Sequence, residues 1–134
     1  MFDKKLVISV IVIFILSMAS GFLIHGTILH PEYAKLGSIM RSEEAAQHLF
    51  GFMILANFLF ACGFSWIYVR GHEAKPWLGQ GFRYGIAVAL LAVFPMYLIY
   101  YVVMPFPSDL VAQQIVYETI DAIVLGIVVA WLNR

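Results

Sequence analysis

Apolar residues run along this chain in four long stretches, and polar residues collect between them. A helix crossing ~30 Å of hydrocarbon needs about 20 predominantly apolar residues. The stretches that qualify run from about Leu6 to Leu29, Ala45 to Val69, Leu78 to Met104 and Leu110 to Leu132. They predict an all-α fold, a four-helix transmembrane bundle forming one domain over residues 1–134. The breaks have local chemistry. Pro31 follows the first stretch, and Ser42 with Glu43 and Glu44 offers the second a capping hydroxyl and acids in its first turn. "RGHEAKPW" separates the second and third, and "MPFPSD" the third and fourth, with Ser108 or Asp109 predicted as N-cap. The longest connection, Pro31–Arg41, has room for a short interfacial helix. Pro95, in the middle of the third stretch, removes a bond to the Leu91 carbonyl and predicts a kink.

Composition strengthens this picture. Hydrophobic residues make up 63% of the chain and charged ones 12%, against about 45–50% and about 25% in soluble domains. Eight basic residues balance eight acidic ones, so charge points to no nucleic acid. The single cysteine, Cys62, excludes an intrachain disulfide and any multi-cysteine metal site. Lys4, Lys5, Arg70, Lys75, Arg83 and Arg134 fall on one side of the bundle, and Lys35 and Arg41 on the other. Basic loops stay inside, so both termini are expected in the cytoplasm. Trp66, Trp77 and Trp131 map to that same interface, and Tyr97, Tyr100 and Tyr101 to the outer one. The first apolar run starts like a secretory signal but continues through "GFLIHGTIL". Signal h-regions stop at about 7–15 residues, so an uncleaved first span is expected.

In lipid, small residues let helix backbones approach. Ala122, Gly126 and Ala130 form such a stripe, "GFRYG" places Gly81 and Gly85 four apart, and Ser17 and Gly21 share that spacing. Packing within the bundle is the expected use, with homodimerisation the alternative.

The chemistry lies in polar residues inside the spans. His25 is about one turn below the outer end of the first span, and Glu44 and His48 share a face in the first turns of the second. Gln113 and Gln114 open the fourth span, with Tyr117 and Glu118 about 12 Å in and Asp121 nearer the middle. His25, Glu44, His48, Gln114, Tyr117, Glu118 and Asp121 are thus candidate ligand-binding or proton-relay residues in the outer half. Twelve Leu, Ile or Val residues between 110 and 132 favour insertion by roughly 4–7 kcal/mol. Two carboxylates can cancel about 5–7 kcal/mol of that. They must therefore face protein or water, and the Gln114–Glu118–Ala122–Gly126 stripe turns Glu118 toward the bundle interior, there to be uncharged or paired with His48 or His25. His30 and His72 fall in surface loops, and Arg83 is placed to snorkel to the cytoplasmic headgroups.

No P-loop, GxSxG or HExxH occurs, and the loops are too short for a soluble catalytic domain. The leading expectation is a non-catalytic integral membrane protein, an accessory subunit of a larger membrane complex or a homo-oligomer. The alternative is a small transporter or ligand-binding bundle using the outer polar cluster. A membrane metal or haem protein, with His25, His48, Glu44 and Glu118 as donors, comes third. The sequence names no cofactor. "FLIHGTIL", "WIYVRG", "PWLGQGFRYG" and "GIVVAWL" resemble segments of small bacterial four-span inner-membrane proteins. The resemblance implies a bacterial cytoplasmic membrane and carries over no activity and no site residue.

The orientation has a direct test in a Cys62→Ala background. A cysteine at Gly37 should react with an impermeant thiol reagent from outside, and one at Ala74 only after the membrane is opened. External labelling at Ala74 reverses the topology.

Overall fold

The computed structural model describes residues 3–134. Helix α1 (Lys4–Leu23) runs on through a π-helical turn, Ile24–Ile28, into the short α2 (His30–Ala34). Next come α3 (Glu43–His48), α4 (Phe50–Gly71), α5 (Trp77–Val88), a second π-helical turn at Ala89–Val93, α6 (Phe94–Val103) and α7 (Ser108–Leu132). Four of these runs are long and apolar enough to cross a membrane: Lys4–Ile28, Phe50–Gly71, Trp77–Val103 and Ser108–Leu132. Their outward faces are apolar, with Leu91 78% and Val102 85% exposed. Water-soluble monomers rarely expose contiguous apolar patches of more than a few hundred Å², so lipid is the solvent this surface fits.

Local chemistry sets the ends. Asp3 Oδ1 accepts from the Lys5 amide at 3.1 Å and starts α1. Ser42 Oγ accepts from the Ala45 amide at 3.2 Å, the expected cap, but it starts α3 rather than the span. The chain breaks at Leu49, and the spanning helix begins at Phe50 instead of Ala45. The reason is polarity. "EEAAQH" is exposed and polar, and the continuous apolar run begins only after it. The expected cap of the fourth span is also different. Pro107 occupies the N-cap position without a side-chain bond, and Ser108 is already helical. Fully buried Leu110 anchors this end, and Asp109 sits in the first turn, where a carboxylate suits the helix dipole.

Pro95 lies in the first turn of α6. There its missing N–H is tolerated. The preceding turn widens, and the Phe94 amide bonds to the Ala89 carbonyl five residues back. Pro95 is therefore accommodated by a π turn that re-phases the following side chains.

Helix α7 is central, touching α1, α5 and α6. Its contact with α5 is backbone on backbone. A Cβ at Gly81 would lie 2.6 Å from the Gly126 carbonyl oxygen and 2.8 Å from the Ala130 Cβ, and one at Gly85 would lie 2.6 Å from the Ala122 oxygen. The two small-residue stripes thus face each other within one chain. Helix α4 is held to α1 by ring pairs, Phe14–Phe58 edge to face and Phe22–Phe50 tilted, each with centroids 6.0 Å apart. At the other end of α4, the Tyr84 hydroxyl donates to the Phe64 carbonyl at 2.6 Å. Asn133 donates to Ser9 Oγ at 2.9 Å, and Lys5 Nζ to the Arg134 carbonyl at 3.4 Å. The start of α1 and the end of α7 therefore share one end of the bundle.

The α5–α7 contact predicts a sharp contrast. Gly85→Val should lower stability by at least about 1–3 kcal/mol through overpacking. Gly63→Ala should be harmless, because a Cβ there meets nothing within 4 Å. Thermal unfolding in detergent, followed by circular dichroism, measures both, and equal midpoints would contradict the packing.

Candidate functional site

At the end of the bundle away from the termini, one polar chain crosses three elements. The π-helical turn carries His25. Such turns re-aim side chains and recur at functional sites. His25 Nε2 lies 2.6 Å from Glu118 Oε1 on α7, and its Nδ1 lies 2.7 Å from the Tyr33 hydroxyl on α2. Gln114, one turn before Glu118, donates from Nε2 to the Tyr33 oxygen at 3.0 Å.

Tyr33 reaches this position because α2 folds back. Leu29 is fully buried beside Ile24, Leu36 and Leu110, and the Tyr33 amide bonds to the Leu29 carbonyl at 3.0 Å. Tyr33 packs against that apolar cluster and turns its hydroxyl to the imidazole.

The donors and acceptors set a direction along the chain. Gln114 Nε2 only donates, so Tyr33 accepts from it and is free to donate its O–H to Nδ1. The imidazole is then the Nε2–H tautomer, donating to a carboxylate at Glu118. Burial pushes the Tyr33 phenol above its ordinary 10.0, with the Glu118 charge adding to the rise and the Gln114 hydrogen bond opposing it. Since its folded pKa is raised, the unfolded chain deprotonates first as pH rises past 10.0. The stability this site supplies is therefore full below that pH and falls above it.

The Glu118–His25 pair is half-buried, with side chains 22% and 34% exposed, because it borders a cavity. The cavity, about 490 Å³, lies between α1, α4 and α7. Its wall comprises Ser17, Met18, Gly21, Phe22, His25 and Gly26 from the first span, Met53, Asn57 and Phe60 from α4, and Glu118 and Asp121 from α7. The space is open at Gly21, where nothing lies within 4 Å of a Cβ built there.

Of the seven candidates read from sequence, His25, Gln114 and Glu118 are joined by hydrogen bonds, and Asp121 lines the same cavity. Tyr117 instead packs half-buried against the apolar cluster of Ile24, Leu29, Leu36 and Leu110. Glu44 and His48 stand apart. They are exposed on α3, outside the cavity wall, because the break at Leu49 takes them off the spanning helix. The donor set imagined for a metal therefore does not converge, and among the described residues no three His, Cys, Asp or Glu side chains are placed to hold one. His72 stacks on Tyr68 with its ring 4° from parallel.

Sequence reasoning missed Tyr33, Asn57 and Ser17. Tyr33 was assigned to a surface connection, and no periodicity relates positions 25 and 33. Asn57, an amide inside an apolar run, was the one signal in plain sight. Comparison with protein-family models, curated proteins and solved structures finds no match to the chain.

Two substitutions at Glu118 separate shape from chemistry. Glu118→Gln keeps an acceptor for His25 and should fold nearly normally. Glu118→Leu strands the imidazole N–H, at about 1–3 kcal/mol. Detergent unfolding measures both, and equal stabilities would mean that the His25 bond contributes nothing to the fold.

Proposed function

We propose that this chain is a small ligand-binding bundle of transporter type in a bacterial cytoplasmic membrane, with both termini inside and a polar cavity open to water in its outer half. One observation carries the reading: the His25–Glu118 pair, 2.6 Å across α1 and α7, forms part of the wall of a 490 Å³ cavity. Ionisable groups at membrane depth are costly and usually functional. A purely structural hydrogen bond needs no cavity beside it.

The chain Gln114–Tyr33–His25–Glu118 suits proton movement. In a concerted shift, Tyr33 gives its hydroxyl proton to Nδ1, Nε2 passes its proton to Glu118, and outside water reprotonates Tyr33. The imidazole is left as the Nδ1–H tautomer, and proton exchange with water, off Nδ1 and onto Nε2, restores the starting one. Each hop follows a hydrogen bond already formed. The basic-residue asymmetry supports the orientation, since it places α2, with Tyr33, at the outer surface.

An accessory subunit of a larger membrane complex is the second reading. It rests on loops too short to make a soluble catalytic domain. Native mass spectrometry of the gently solubilised protein decides it, through the presence or absence of a stoichiometric partner.

Water access tests the main reading. In a Cys62→Ala background, Asn57→Cys should react with a small hydrophilic methanethiosulfonate added outside. Phe52→Cys, on the apolar outer face of α4 and 70% exposed there, should not. An unreactive Asn57→Cys would sink the proposal.

A further inference from the structure

We infer that the cavity's ligand is a small organic monocation, a protonated amine carrying an apolar group. This inference rests on the cavity reading above and adds the chemical class.

The first argument is charge. Glu118 and Asp121 both line the cavity, and neither Lys nor Arg does. His25 donates to Glu118, so Asp121 is the carboxylate on the wall that no imidazole N–H reaches. One positive charge on the ligand complements it. An anion would meet two carboxylates.

The second argument is the hydrogen-bond inventory. Most of the wall's side-chain hydrogens are already committed. Ser17 Oγ donates to the Phe14 carbonyl at 3.0 Å, Asn57 Nδ2 donates one of its two hydrogens to the Met53 carbonyl at 2.9 Å, and both His25 nitrogens are engaged. Beside the second Asn57 hydrogen, what remains are acceptors: the Asn57 and Ser17 oxygens and the carboxylates. An acceptor-rich, donor-poor wall suits a ligand that brings N–H groups.

The third argument is shape and softness. Cavities of about 300–1,000 Å³ hold small organic molecules, and 490 Å³ lies inside that range. The aromatic rings of Phe22 and Phe60 and the thioethers of Met18 and Met53 complete the wall. Aromatic faces attract cations, and thioethers adapt to apolar groups. A bare inorganic ion would leave most of this space and apolar surface unused.

The titratable groups facing the cavity are His25 from the first span and Glu118 and Asp121 from α7, with Tyr33 behind His25. Helix α4 contributes only the uncharged Met53, Asn57 and Phe60. A proton and a cationic ligand seek the same acidic wall. Proton and ligand therefore compete, and binding weakens as pH falls.

The test uses the purified full chain in mild detergent and ligand-observed NMR at neutral pH. The probes are benzylamine, benzyl alcohol and benzoate, which match in shape and differ in charge. Benzylamine should bind best, and Asp121→Asn and Glu118→Gln should each weaken it by about tenfold or more. Acidification should weaken binding to the unmodified chain, a readout independent of how the variants fold. Equal binding of benzyl alcohol or benzoate, or indifference to both substitutions and to pH, overturns the inference. If Asn57→Cys is reactive from outside but benzylamine does not bind, the cavity reading stands and the monocation is wrong. If Asn57→Cys is unreactive, both fall.

Discussion

A carboxylate on a helix this apolar must be paired or reached by water, and the arrangement of the end of the bundle away from the termini follows from that. A charged side chain at the centre of a spanning helix costs about 2.5–3.5 kcal/mol on insertion scales. Helix α7 carries two, Glu118 and Asp121, one turn apart. Glu118 is held by His25 at 2.6 Å, which ties α7 to the first span. The imidazole in turn holds Tyr33, and with it the short α2 that folds back over this end. Asp121 lines the cavity beside it, with Ser20 of α1 in hydrogen-bond reach.

That space exists because the helices are not packed alike. Gly81, Gly85 and Gly126 let α5 and α7 touch backbone to backbone, a contact no larger residue could occupy. Helix α4 has no such stripe against α7. It leans on α1 through aromatic rings and barely touches α7. The cavity lies on this looser side. Close packing on one face of α7 and sparse contact on the other thus make a closed side and an open one.

The chemistry follows from how the polar groups are used. Gln114, Tyr33, His25 and Glu118 form a chain in which every link has a defined donor. Such a chain polarises along its length, each bond strengthening the next. Beside it, Ser17 spends its hydrogen and Asn57 one of its two on their own helices, which leaves the wall richer in acceptors than donors. Directionality in the wall and polarity in the cavity are separate consequences of the same few side chains.

The architecture was legible in the sequence because lipid imposes a length on apolar runs and backbone hydrogen bonding imposes the helix. The four spans lie within a few residues of those boundaries, except the second, where polar "EEAAQH" forms its own helix. Glu118 was legible too, since the small-residue stripe it shares must face protein. Which histidine would meet it was not. His25 and His48 sit at similar depth in a one-dimensional reading, and depth says nothing of direction around a helix axis. The π turn at Ile24–Ile28 and the break at Leu49 settle that question, and both depend on contacts with other helices. Tyr33 came from a connection that folds back only because Leu29 is buried against Leu110, far along the chain. The sequence alone determined the number, length and polarity of the helices, because those depend on each segment and its solvent. The pairing of His25 with Glu118 and the cavity beside it were decided by the tertiary structure, because they depend on which helix faces which.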